Sequence, residues 1–230
     1  MSHIDNELDY LREMSIEMLE LVKSQLEKSK TALIDFNIDL AEEIVRTELR
    51  VNALELNIDK ECENIIALHQ PVATDLRFIL ATLKSVSDIE RIGDHADGIA
   101  KSIIDRKDPY KLELLKAIRI ESMFDFTIEM FDDIITSLTN KDTEIARKVF
   151  KKDKELNEHF RSSKKIIGEE LTRVPDSGIT LLALFSVIAK LERTGDLLTN
   201  VGEEIIFYID AEILKHKKKN KKIRKEINEQ

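Results

Sequence analysis

The segment SDIERIGDHADGIAK, residues 87–101, sets Glu90, Asp94 and Asp97 at i, i+4 and i+7. On a helix this spacing lines three carboxylates along one face. Like charges placed this way repel. Beside an apolar core they are held by protonation, by an Arg or Lys, or by a bound cation. Glu and Asp oxygens at i and i+4, faced by a second such pair on a neighbouring helix, suit Mg²⁺, Mn²⁺, Ca²⁺ or iron. The alternative is an ordinary solvated helix surface on which Arg91 and Arg193 form local ion pairs.

The pattern occurs twice. KSVSDIERIGDHADGIAKSI (84–103) aligns with SVIAKLERTGDLLTNVGEEI (186–205) at an offset of 102, and the shared element is Glu-Arg-x-Gly-Asp. Glu192 and Asp196 therefore repeat Glu90 and Asp94, and Thr199 and Glu203 extend the second line. A weaker echo precedes each copy: ELRVN (48–52) matches DKELN (153–157) at an offset of 105. Glu48 and Asn52 thus pair with Asp153 and Asn157. Gly93 and Gly195 are equivalent, and each costs about 1 kcal/mol relative to Ala in a helix. Their repetition predicts a close approach of a neighbouring helix. Gly98 has no glycine counterpart, since Asn200 stands at its equivalent position.

Helical periodicity supplies the elements that position these side chains. Ile4, Leu8, Leu11, Ser15, Met18, Val22 and Gln25 trace a mostly apolar stripe at spacings of three and four. The pattern predicts six helices, over 4–36, 39–67, 71–105, 111–139, 141–172 and 176–214. The charged stretch DRKDPYK (105–111) breaks the chain in the middle; Pro71 and Pro175 precede helices, and Asp176 and Ser177 are candidate N-caps. In the third helix Leu76, Ile79, Leu80, Leu83 and Val86 form one apolar line, which Glu90, Asp94 and Asp97 continue. Ile92, Ala96, Ile99 and Ile103 then lie on another side, so the helix is expected to swap the face it buries.

The expected fold is all-α, two three-helix bundles related by internal duplication. Residues 1–107 form the first, 108–214 the second, and 215–230 a basic tail. Helices of about 30 residues run about 45 Å, so the molecule should be elongated.

Bulk properties agree with this reading. The 230 residues are 42% hydrophobic and 35% charged, with 6 Gly and 3 Pro. Such a composition favours long helices. From Lys215 onward the tail carries eight Lys or Arg against two Glu, so of the net charge of −9 the rest of the chain holds about −15. A body this acidic is a poor nucleic-acid binder. The single Cys62 excludes an intramolecular disulfide and reads as a small core residue. No apolar run is long enough to span a bilayer and no signal-peptide core is visible, so a cytoplasmic location is expected.

Several chemistries lack their residues. There is no Glu-x-x-His pair of the di-iron carboxylate bundles, no Gly-rich phosphate loop and no Gly-x-Ser-x-Gly elbow. His95 projects off the acidic face and is expected to make a polar contact. A metal-dependent hydrolase using the paired carboxylates stays open as an alternative, but no general base or nucleophile supports it. The expectation is a protein that is not an enzyme.

The stretch HQPVATDLRFILATLKSVSDIERIGDHADGIAK (69–101), with its second copy LFSVIAKLERTGDLLTNVGEEIIFYI (184–209), resembles the signature of the PhoU family, accessory regulators of the high-affinity phosphate ABC transporter. The resemblance covers nearly the whole chain. It implies two three-helix bundles and, as in some members, multinuclear iron or zinc clusters; manganese and magnesium also suit the oxygen donors. Matched residue by residue, the first site would use Glu48, Asn52, Glu90 and Asp94, and the second Asp153, Asn157, Glu192 and Asp196. Asp97 and Glu203 are outer candidates.

The sequence departs from the family pattern at three places. Gly98 replaces the Asn that Asn200 keeps, Leu197 replaces the His that is present as His95, and Asn at 52 and 157 removes charge from both sites. The implied partners are the transporter's ATPase subunit and the phosphate-sensing histidine kinase. A homodimer is expected, with membrane association only through partners. An accessory subunit of another phosphate permease is the nearest alternative.

Overall fold

Long amphipathic stretches free of Pro and poor in Gly form long helices, and local residues stop them. The computed structural model describes residues 3–214. It contains α1 (His3–Asp35), α2 (Ile38–His69), α3 (Ala73–Ile104), α4 (Leu112–Ala117), α5 (Ile120–Asn140), α6 (Thr143–Arg173), a 3-10 turn (Pro175–Ser177) and α7 (Gly178–Asp210). There is no strand among the described residues. The basic tail, 215–230, lies outside them.

Asn37 caps α2 by accepting a hydrogen bond from the Leu40 amide at 3.0 Å. Asp142 caps α6 through the amides of Glu144 and Ile145. Gln70 ends α2 in the left-handed region, with φ 49°, and its amide closes on the Ile66 carbonyl. Ser177 does not cap α7 as expected. Its hydroxyl turns back to the Val174 carbonyl at 2.7 Å, and Asp176 falls inside the 3-10 turn.

The fourth expected helix, 111–139, is two. Arg119 takes φ 51°, which breaks the run between α4 and α5. Ile118 and Ile120 on either side are 1% and 0% exposed. In an unbroken helix these two would project about 200° apart; the break lets both reach the core. The freed Ile118 carbonyl accepts a hydrogen bond from Ser163 Oγ of α6 at 2.7 Å. The last helix also stops four residues short of the expected 214, at Asp210, where Ala211 turns left-handed with φ 55°.

In the first repeat α1, α2 and α3 pack against one another, and in the second α5, α6 and α7 do. The two sets join chiefly through α3 and α7, with α1 against α5. Buried residues from all four of these helices and from α2 and α6 form one continuous core.

The α3–α7 seam is antiparallel. Lys84 pairs with Glu204 at 3.2 Å, Asn200 donates to Asp88 at 3.1 Å, and His95 Nδ1 meets Thr194 Oγ1 at 3.1 Å. Further along, a Cβ built on Gly98 would lie 2.7 Å from Lys190 Cε. Under the 102-residue offset Asp88 corresponds to Lys190 and Gly98 to Asn200. The Asp88–Asn200 and Lys190–Gly98 contacts are therefore two copies of one contact, and the repeats meet about an internal pseudo-two-fold.

Because α7 covers it, α3 is buried over a wide arc and does not swap faces cleanly. Phe78, Thr82, Ile89, Ile92, Ala96 and Ile99 are all buried, while Leu80 of the expected apolar line is 39% exposed.

Candidate metal centre

The first acidic site forms where α2 and α3 come close. Gly93 allows it: a Cβ there would stand 3.2 Å from Val51 Cγ1, 3.3 Å from Glu48 Oε2 and 3.5 Å from Gln25 Oε1. The expected close approach at this glycine is present. One carboxylate oxygen each from Glu48, Glu90 and Asp94 lie within 4.8 Å of one another. No other trio of His, Cys, Asp or Glu among the described residues meets that distance.

The site is short of donors. Neither Glu48 oxygen, nor Asn52 Oδ1, nor Asp97 Oδ1 has a hydrogen-bond partner, and all four atoms are buried. Burial pushes the Glu48 carboxyl up to about 7; the Asp94 charge adds to this, with smaller pushes from Asp97 and Glu90 and an opposing pull from the Gln25 side chain. Glu90 is raised by burial, then by Asp94 and Glu55, against Arg91. Glu55 itself is raised by burial and by its neighbours Asp59 and Asp94. Lys101 answers part of this charge, its Nζ lying 2.7 Å from Asp97 Oδ2. Asp97 holds the Lys101 ammonium above its ordinary value, and Glu48 and Asp94 add to the effect.

The second site repeats the plan with different contacts. Gly195 brings α7 against α6: a Cβ there would lie 2.6 Å from Leu156 Cδ2 and 3.2 Å from Asp153 Oδ1. Asn157 Nδ2 donates to Asp153 Oδ2 at 3.1 Å, which occupies one Asp153 oxygen inside the cluster. Glu192 is raised by burial, then by Asp196 and Asp153, against Arg193. Asp196 is raised by burial and lowered by Arg193. Glu192 thus senses both Asp196 and Asp153, but the three do not close to the distance that the first trio does.

Of the outer candidates, Asp97 is buried and acts on Glu48. Glu203 is half-buried two turns beyond Asp196, about 10 Å along the helix. His95 stays off the acidic face and contacts Thr194. Burial, with Lys190, Arg193 and Arg91 nearby, pushes it down to about 4, so it is neutral at physiological pH.

Carboxylate and amide oxygens beside one lysine, with buried acceptors left over, match the donor set of a hard divalent cation. Three members of this surrounding are not among the expected site residues. Gln25 reaches the first site from α1, and it sits in the mostly apolar α1 stripe as its polar end. Glu55 is one turn past Asn52 on α2. Lys101 follows Asp97 by four residues, the spacing of a helical ion pair.

Known proteins share this arrangement of repeats. The PhoU domain model matches twice, over residues 16–103 and 120–205. The phosphate-specific transport system accessory protein PhoU of Edwardsiella tarda is 30% identical over 213 residues, which cover 91% of this chain and 86% of the relative. A homologue of that protein in Aquifex aeolicus is 33% identical over 211 residues, 91% of this chain and 94% of the relative. The crystal structure of the phosphate transport system regulatory protein PhoU from Streptococcus pneumoniae matches with a TM-score of 0.83 at 25% identity, covering 92% of this chain and 99% of that one.

Proposed function

Because the chain belongs to the PhoU family, we propose that it is a regulator of phosphate uptake and of phosphate-starvation signalling. The observation that carries this reading is the double domain match, which with the relatives above accounts for about nine-tenths of the chain. The protein works in the cytoplasm by docking on the transporter's ATPase subunit and on the sensor kinase, as a homodimer, and turns over no substrate. No helix among the described residues is long and apolar enough to cross a membrane.

The acidic sites hold metal ions, with iron, manganese, magnesium and zinc as the candidates. Glu48, Asn52, Glu90 and Asp94, flanked by Asp97, hold one. Asp153, Asn157, Glu192 and Asp196, with Glu203 outermost, hold the other. A bound divalent ion supplies charge neutralisation there, which changes the potential that the surface offers a partner. Beside the first site Leu49 and Leu56, 76% and 68% exposed, flank Asn52 on α2. Apolar contact next to switchable charge is suited to a reversible docking face.

The test is Glu90→Ala with Asp94→Ala in cells carrying a phosphate-starvation reporter, followed by partner pulldown in phosphate-replete and phosphate-starved medium. The variant should keep its helicity, lose metal and lose regulation of the reporter. Normal signalling by a metal-free variant would sink the metal-dependent docking model.

A further inference from the structure

The two acidic sites differ on the side that neither repeated motif supplies. Gln25 of α1 is 1% exposed, and its Oε1 has no hydrogen-bond partner. Its Nε2 donates to the Ile44 carbonyl of α2 at 3.4 Å. Oε1 is left facing the first site. It lies 3.5 Å, and Glu48 Oε2 3.3 Å, from one point, the place a Cβ on Gly93 would take. Two buried oxygens converge there from two helices, with the Gln25 amide close enough to pull Glu48 down, while a third helix brings Glu90 and Asp94.

In the second repeat the 105-residue offset that relates Glu48 to Asp153 relates Gln25 to Met130. Met130 is fully buried and offers only a thioether. There Asp153 Oδ2, as noted, already accepts from Asn157 Nδ2.

We propose that Gln25 Oε1 is an oxygen ligand of the first site, contributed by α1, and that the first site therefore binds a hard divalent cation more tightly than the second. This rests on reading the acidic clusters as cation sites. An amide oxygen suits the role. It is a normal ligand for Mg²⁺, Ca²⁺ and Mn²⁺. Being neutral, it adds coordination without adding to the repulsion among Glu48, Glu90 and Asp94. A cation at the site also gives the buried Oε1 the partner it otherwise lacks.

The experiment is calorimetric titration of the full chain with Mn²⁺ alone. Wild type is compared with Gln25→Met, Gln25→Glu, the pair Glu90→Gln/Asp94→Asn, and the pair Asp153→Asn/Asp196→Asn. Wild type should show a tight and a weak class of site. Gln25→Met should weaken the tight class by about tenfold and leave the weak one alone, the scale expected when a supporting group at a metal site is removed. Asp153→Asn/Asp196→Asn should remove only the weak class. Gln25→Met removes the buried unpartnered Oε1 along with one long Nε2 hydrogen bond and puts an apolar group of similar shape in their place, so its thermal midpoint without metal should stay close to wild type. Were it poorly folded, Gln25→Glu decides, because it keeps an oxygen at the same reach and should bind at least as tightly.

Wild-type affinity in Gln25→Met, with the tight class lost in Glu90→Gln/Asp94→Asn, would overturn the role of Gln25 and leave the cation reading standing. Weaker binding in Gln25→Glu would also overturn that role. No Mn²⁺ bound by wild type would overturn both.

Discussion

Asn200 on α7 donates a hydrogen bond to Asp88 on α3 at 3.1 Å, and the twin of that contact is Lys190 lying across Gly98. The two repeats present the same helix to each other, and each position is used once in each direction. Gly98, the residue that breaks the repeat in sequence, is where the stem of Lys190 crosses α3. Its absent side chain therefore belongs to the joint between the repeats and not to the acidic site.

Three glycines at helix seams should respond differently to Ala. At Gly98 the obstructing atom is Lys190 Cε, near the end of a flexible chain. Lys190 can move aside, and the helix gains about 1 kcal/mol of propensity, so Gly98→Ala should be neutral or slightly stabilising. At Gly195 the obstruction is Leu156 Cδ2 at 2.6 Å, and Leu156 is fully buried. Overpacking of this kind costs about 1–3 kcal/mol, so Gly195→Ala should lower stability. Gly93→Ala, with Val51 Cγ1 at 3.2 Å, should fall between them. Urea unfolding of the three variants gives the order, and a destabilised Gly98→Ala with an intact Gly195→Ala would contradict it.

One buried side chain braces the break at Arg119. Ser163 Oγ holds the Ile118 carbonyl at 2.7 Å in a buried setting. Ser163→Ala leaves that carbonyl without its donor and should cost about 1–3 kcal/mol. Thermal unfolding measures it. A cost near zero would mean that the break is held by the burial of Ile118 and Ile120 alone.

Local chemistry explains which features could be read from sequence. The repeated Glu-Arg-x-Gly-Asp carried the duplication, and helical period carried the elements, because both depend on residues close in the chain. The close approaches at Gly93 and Gly195 were legible since a repeated glycine within a helix has few other reasons to be there. The break at Arg119 was not. An arginine carries no signal for a positive φ, and the force behind it is burial of Ile118 and Ile120 against other helices. Gln25 was hidden for a related reason. It completes an apolar stripe of α1, and only the packing of α1 against α2 and α3 shows that its oxygen lies near Glu48. The difference in closure between the two acidic sites was equally out of reach, since it depends on how closely α2 meets α3 and α6 meets α7.

The raised carboxyls set a pH dependence for the metal-free protein. Glu48 has an ordinary value of 4.5 and is pushed up to about 7 by burial and then by Asp94. Below about 4.5 it is protonated whether the chain is folded or not, and well above 7 it is ionised in both. Between those values the folded chain holds a proton that the unfolded chain has released, so stability falls as pH rises through this window. Glu90, Glu55, Glu192 and Asp196 are raised as well and act in the same direction. Glu43, lowered by its hydrogen bond with Lys28, works oppositely but only at more acid pH. His95, pushed down to about 4, opposes this between about 4 and its ordinary 6.5, where the unfolded chain holds the extra proton. Thermal midpoints in chelator should therefore drop mainly between pH 6.5 and pH 7.5. Glu48→Gln should flatten the slope, and an unchanged slope in that variant would place the effect elsewhere.

Removing charge at the first site should separate stability from function. Glu90 and Asp94 each present an oxygen within 4.8 Å of the other and of Glu48. Glu90→Gln with Asp94→Asn keeps the shape of both side chains and relieves that repulsion. In chelator at low salt the variant should be more stable than wild type by roughly 1 kcal/mol, with a smaller gain at high salt, where exposed charges are screened. In excess Mn²⁺ the order should reverse, because wild type gains the binding free energy and the variant does not. Unfolding midpoints under the four conditions read both effects. If the carboxylates were only a solvated face, the variant would stay the more stable protein with or without the metal. A crossover instead identifies these two residues as a cation site maintained at a cost to the stability of the metal-free fold.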